Sequence, residues 1–255
     1  MKKPHLFCHL IFLFFSFISK SQTLQGYTLA ANSGTFVAIS GGTSLPAIQA
    51  DDATAFVSMP FAFKIGCNTY NSFAVSSNGY MLFAGSIGTN AYDNSSSNFS
   101  ADAVIVAPLW DDLGGASGTA KYTTTGSAPN RIFTMEWLNW QWQYDAVGSQ
   151  ISYQVKLYES TNNIEFYYKT EFGILNDPSA SVGIYNGAGY STGAINMWLN
   201  NSSSAPLMNT AFTNTINTKP ATGQVYSFTN NNLCSGSVGY IYAHKNYTLI
   251  HTVPS

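Results

Sequence analysis

The sequence predicts an all-β fold, a two-sheet antiparallel β-sandwich of jelly-roll type, on three observations. Strands rather than helices dominate the pattern: short runs of alternating apolar and polar residues follow one another, parted by turn-rich connectors. Aromatic residues make up 15% of the chain, which is ample material for a core. Charged residues make up only 9%, against roughly 25% in ordinary soluble domains. The Ser, Thr, Asn, Gly and Tyr that stand in their place suit an extracellular β surface.

The chain opens with Met1-Lys2-Lys3 and an apolar run from Leu6 to Ile18, the pattern of a secretory leader. That run falls short of the roughly 20 residues a membrane span needs. Small residues at Ser19 and Ser21 place the cut before Gln22, so the expected organisation is a signal peptide over 1–21 and a sandwich over 22–231. Residues 232–255 are expected to be a linker or the truncated start of a following domain. No later stretch is long enough to cross a bilayer, and the expected location is secreted or at the cell surface. Of the 10 basic residues, Lys2, Lys3 and Lys20 leave with the leader, so 7 stand against 12 acidic ones and the exported part carries a net charge near −5. With Arg131 its sole arginine, the chain is not expected to bind nucleic acid, which demands clustered Lys and Arg. Two cysteines remain after the leader, Cys67 and Cys234. Either they pair, or Cys234 belongs to whatever once followed.

A first hairpin is expected between Phe73 and Ala84, turning at Asn78-Gly79 as a two-residue type I′ loop. That register sets Val75 opposite Leu82 and Phe73 opposite Ala84. A second hairpin runs from Ser149 to Thr170, where Ile151, Tyr153, Val155 and Leu157 form an inward face that Ile164, Phe166 and Tyr168 resume. A loop over Ser160 to Asn163 sets Leu157 opposite Phe166. Further strands are expected at 56–65, 104–110, 120–124, 132–138, 181–185, 196–199 and 224–228. Val104-Ile105-Val106-Ala107 lacks alternation and reads as a strand covered on both faces, with Pro108 ending its pairing or marking an edge. The Ser- and Asn-rich segments 89–101 and 199–218 read as surface loops.

Histidine sharpens the exclusions. His5 and His9 fall in the leader and His244 and His251 in the last dozen residues, so the sandwich itself holds no imidazole for a nucleophilic triad, a zinc site or a general base. There is no Gly-rich phosphate loop. Neither cofactor nor metal is expected. Carboxylate-pair catalysis is the remaining route, with Asp111, Asp112, Glu136, Glu159, Glu165 and Glu171 as candidates by type; the leading expectation is that the chain is not an enzyme. Asp111-Asp112, at the end of a core strand, fits calcium ligation. The plainer reading has one side chain bonding loop backbone and the other solvated.

The most unusual local feature is Trp137-Leu138-Asn139-Trp140-Gln141-Trp142-Gln143-Tyr144. In an unbroken strand Phe133, Met135 and Trp137 face one way, whereas Trp140, Trp142 and Tyr144 face the other, as a flat platform for a sugar ring or a protein. A bulge near Asn139, or a second sheet, would bury them instead.

Several of these blocks resemble a known module. Phe61-Ala62-Phe63-Lys64-Ile65-Gly66, Val75-Ser76-Ser77-Asn78-Gly79-Tyr80, Ala107-Pro108-Leu109-Trp110-Asp111-Asp112-Leu113, Tyr153 to Glu159 and Gly223 to Phe228 are similar to the N-terminal β-sandwich of large secreted surface proteins of the Bacteroidetes type. The Asn78-Gly79 and Trp110-Asp111-Asp112 blocks also look distantly like the nidogen-type extracellular domain. The resemblance implies an adhesive, recognition or spacer role, with a surface polysaccharide or matrix protein as partner, and export by type IX secretion. It offers no catalytic residues to carry over. In such proteins further repeats follow the module, so a chain stopping soon after Cys234-Ser235-Gly236 is expected to be a truncated or frameshifted product.

Overall fold

In the computed structural model of the chain, residues 22–24, 26–88, 91–187 and 195–231 are described; the expected leader and residues 232–255, with Cys234, lie outside them. In chain order the strands are β1 (Gln22–Leu24), β2 (Tyr27–Ser33), β3 (Thr43–Ser44), β4 (Thr54–Ile65), β5 (Asn68–Ser76), β6 (Met81–Ala84), β7 (Val104–Trp110) and β8 (Thr119–Thr125). There follow β9 (Ile132–Trp140), β10 (Ile151–Tyr158), β11 (Ile164–Thr170), β12 (Ser181–Asn186), β13 (Ile195–Leu199), β14 (Met208–Asn209) and β15 (Gln224–Asn230). They form an eight-stranded sheet in the order β1-β2-β15-β11-β10-β9-β8-β3 and a seven-stranded sheet in the order β14-β13-β12-β7-β6-β5-β4. The fold is the all-β sandwich its pattern predicts, and every predicted strand is present. No helix among the described residues is long and apolar enough to cross a membrane.

Period-two alternation places the core. Along β4, Val57, Met59, Phe61, Phe63 and Ile65 are buried while the residues between them stay exposed. The inward faces of β10 and β11 are buried as expected from Ile151 to Leu157 and Ile164 to Tyr168. Between the sheets, Phe73 meets Phe133 edge-on at 5.6 Å. β4 also closes one end of the other sheet. The Arg131 guanidinium donates to Pro60 O at 2.8 Å, Lys64 N donates to Asn162 Oδ1 at 2.7 Å, and Tyr27 OH donates to Lys64 O at 3.2 Å.

The outer faces are covered too. β7, central in its sheet, is buried along its whole length because Tyr80, Ile105, Trp110 and Trp198 form a second cluster beneath Phe99 and Phe212. Both of those lids come from the segments expected to be mere surface loops. Pro108 neither ends the strand nor marks an edge; it sits in a bulge where β12 shifts register between Ser181 and Gly183. On the opposite sheet, residues 34–42 form a strap from β2 to β3 at the far edge. Gln154 Nε2 donates to Val37 O at 2.8 Å, and Ile39 N donates to the buried Glu136 Oε2 at 2.9 Å. A Cβ on Gly34 would stand 2.9 Å from Val225 and 3.0 Å from Tyr167, so the strap lies directly on the strands.

Two registers differ from expectation. In the β5–β6 hairpin Val75 lies opposite Met81, not Leu82, and Ser76 N donates to Tyr80 O at 3.0 Å. The loop is therefore three residues, Ser77-Asn78-Gly79, with Gly79 alone at positive φ (+76°), and the slip of one turns Met81 and Phe83 inward in place of Leu82 and Ala84. The cause is Asn78, whose amide donates to Asp52 at 2.8 Å and accepts from Leu113 N at 3.0 Å. In the β10–β11 hairpin Leu157 lies opposite Ile164 and Val155 opposite Phe166. Here the loop starts one residue earlier, at Glu159, and the pairing slides by two, which leaves the faces unchanged. Cys67, just past β4, is disulfide-bonded, and the chain's other cysteines lie outside the described residues.

A Cβ at Gly79 would fall 1.9 Å from Leu109 O, which is backbone and cannot yield. Gly79→Ala is expected to destabilise by about 3 kcal/mol or more, lowering Tm by about 6–12 °C. Gly41→Ala, also at positive φ (+81°) but with nothing within 4 Å, should cost only about 1 kcal/mol. Thermal melts of the two variants check the contrast.

Candidate functional site

The indoles expected to form a surface platform are interior. β9 keeps its alternation through Trp137, then gains one residue: Trp137 pairs with Tyr153 and Trp140 with Ile151, three residues against two. Asn139 absorbs the bulge at φ +56°, and its N–H donates to Ser152 Oγ at 2.8 Å. Trp140 and Trp142 are thereby turned to the face of Trp137 and are 0% exposed. Both are thus corrected from binding candidates to core. Gly115 and Gly118 make the room, since a Cβ on either would meet the Trp140 ring at 2.5 and 2.8 Å. Tyr144 alone of the three remains at the surface.

Four buried rings carry their donors across the sandwich. Trp137 Nε1 donates to Ser76 O at 3.0 Å, Trp140 Nε1 to Ser77 O at 2.8 Å, and Tyr168 OH to Pro108 O at 2.6 Å. Trp142 Nε1 donates to Asp111 Oδ2 at 2.8 Å. Asp111, buried, also accepts from Ser179 N at 2.8 Å, Ser179 Oγ at 3.1 Å and Asp112 N at 3.0 Å. It is the loop-bonding partner of the plainer reading. Its neighbour Asp112 points away, toward Asp51 and Asp52.

The other carboxylates expected as catalytic candidates are each held by neighbours. Glu159 forms a bidentate pair with Arg131 at 2.8 and 2.5 Å, and those hydrogen bonds keep it below the usual carboxylate range. Glu165 accepts from Tyr158 OH at 2.5 Å, Tyr167 OH at 3.0 Å and Ser227 Oγ at 3.1 Å. Glu171, nearly buried rather than solvated, accepts from Ser152 Oγ at 2.6 Å and Lys169 Nζ at 2.7 Å. Glu136 lies under the strap and also accepts from Gln154 Nε2 at 2.6 Å.

Two surface features were not legible beforehand. The first is apolar. Tyr144 and Val147 stand exposed on the β9–β10 connection, and Phe172 (104%) and Ile174 (88%) on the β11–β12 connection. The two connections are bonded together, Gly173 N to Ser149 O at 2.9 Å and Glu171 N to Gln150 O at 3.0 Å. Lys219 Nζ braces the second from behind, donating to Glu171 O at 2.8 Å and to Gly173 O. Alternation hid them: Phe172 and Ile174 continue the even-numbered apolar series of Ile164, Phe166 and Tyr168, which is buried, yet they stand on a loop beyond the end of β11.

The second feature is acidic. Asp51, Asp52 and Asp112 bring carboxylate oxygens within 4.8 Å of one another, a spacing an oxygen-ligated divalent cation can span. Partial burial, then repulsion from Asp51, Asp52, Asp111 and Asp145, raises the Asp112 carboxyl from the usual 3.8 to about 6. A raised folded value means the folded state holds its proton more tightly than the unfolded chain. Stability present below pH 3.8 is therefore lost as the pH climbs through about 6. Asp112→Asn is expected to raise Tm by about 2–4 °C above pH 7, a modest gain because solvent screens the half-exposed group, and to match the wild type near pH ~4. Melting curves across that range measure it.

No curated protein and no solved structure matches the chain. A family model described as NIDO related, that is nidogen-related, matches residues 26–230. Those bounds run from the residue before β2 to the last residue of β15, so the match takes in the Ser76–Tyr80 turn, the Trp110-Asp111-Asp112 block and the strands that bond to them. The chain belongs to the nidogen-related family.

Proposed function

We propose that the chain is a non-catalytic extracellular recognition module, exported by its leader and built as the N-terminal sandwich of a surface protein of the Bacteroidetes type that uses type IX secretion. Its partner is a matrix component or surface polymer, met through the braced apolar tip that includes Tyr144. One observation carries the reading: a Phe172 ring and an Ile174 side chain that touch almost nothing, on a loop fixed by Lys219 and by the neighbouring connection. Apolar side chains displayed on a fixed support lose little entropy on binding and act as anchors. Family membership favours the extracellular, non-enzymatic setting. A hydrolase working through a carboxylate pair draws no support from Asp111, Glu136, Glu159, Glu165 and Glu171, each engaged by neighbouring groups.

Binding of the purified chain to immobilised matrix proteins and polysaccharides is expected for at least one of them. Phe172→Ser with Ile174→Ser should weaken it at least tenfold, about 1.4 kcal/mol, while leaving Tm unchanged. Equal binding by wild type and double variant, or none by either, would remove the tip as a recognition surface.

A further inference from the structure

A second surface lies away from the tip, where the two sheets part at their edges. On one side β3 covers β8 only at Lys121 and Tyr122, so Thr123 to Thr125, paired to β9 on their other edge, have no strand on this one. On the other, β4 is the edge strand and shifts register against β5 between Ser58 and Phe63, while Arg131 holds it at Pro60 O. The gap between them is a cleft of about 490 Å³. Its lining has two parts. Met59 and Phe133 are buried beneath it, and the partly exposed Tyr122 stacks on Phe133 at 5.6 Å with 23° between the rings. Thr43, Ser58, Tyr122, Thr123 and Thr124 bring five hydroxyls.

Two properties of this lining select a ligand. No lining residue carries a charge, and Arg131, which bonds Pro60 O at the cleft's margin, is neutralised by Glu159. Among the described residues, moreover, none of the five hydroxyls bonds to another protein group, so each is open to a ligand. An apolar ring face beside uncommitted hydroxyls matches a sugar ring, which has C–H faces and hydroxyl edges. The volume falls in the range of small-ligand sites, roughly 300–1,000 Å³.

We infer that the cleft between β4 and β8 binds a neutral saccharide, seated on Tyr122 and hydrogen-bonded by the Thr and Ser hydroxyls around it. This site is independent of the apolar tip, and either can fail without the other.

The test uses the full exported chain with cellohexaose, laminarihexaose, xylohexaose and mannohexaose as probes, and an alginate hexamer as the charged comparison. At least one neutral probe should bind and shift the amide resonances of Tyr122 and Thr124, with the alginate hexamer weaker by tenfold or more. Ser58→Trp and Thr124→Arg, both at exposed rim positions, should each weaken binding at least tenfold. The Phe172→Ser and Ile174→Ser double variant should bind the sugar unchanged. No binding by any of the four, equal binding of alginate, or undiminished binding by both rim variants overturns the proposal. So does a resonance map elsewhere on the wild-type protein, which reads out even if the rim variants do not fold.

Discussion

Four hydrogen bonds that cross the interior hold this sandwich in one arrangement. Trp137, Trp140 and Tyr168 give their donors to backbone carbonyls of the facing sheet, and Trp142 gives its own to Asp111. An indole N–H without a partner in a core costs about 1–3 kcal/mol, so each ring fits only where its acceptor lies. Apolar packing alone would let the sheets slide over one another with little change in buried area. These bonds fix the slide, and they account for what the Ser76–Tyr80 turn and the Trp110-Asp111-Asp112 block do: they are the acceptor side of the joint.

From that joint the rest of the site's geometry follows. Gly79 has no side chain because the turn presses on Leu109 O, and Gly115 and Gly118 are bare because Trp140 fills the space. Asn78 leaves the pairing ladder to bond Asp52 and Leu113 N, which brings Asp52 to within reach of Asp112. The acidic group and the tight turn are thus two results of one packing arrangement. With so few charges in the chain, most carboxylates serve as acceptors for neighbours.

Much of the fold was legible in the sequence, since strand positions and inward faces are properties of period-two alternation. What a strand meets above and below is not. The covered faces of β7 were foreseen from its unbroken apolar run, but the lids themselves, Phe99 and Phe212, lie in polar segments with no pattern. The indole platform was misplaced for a related reason. Alternation predicts the face of Trp140 only while the strand is regular, and one extra residue at Asn139 reverses it. Asn78-Gly79 misled in the same way, because its favoured turn assumes an amide free to serve the backbone. The apolar tip and the saccharide cleft arise from loops and edges brought together by topology, and distance along the chain hides both.

The placement of β15 has a consequence for how the molecule assembles. It lies between β2 and β11, with Asn230 opposite Tyr27 and Tyr226 opposite Ala31, so the first long strand is anchored by the last. A chain emerging from its amino end, from a ribosome or through a pore, cannot complete this sheet until residue 230 has cleared the exit. Contacts so distant in sequence also make folding slow. The join between β2 and β11 therefore forms only once the last strand is available, whereas the hairpins between β4 and β11 can pair before it.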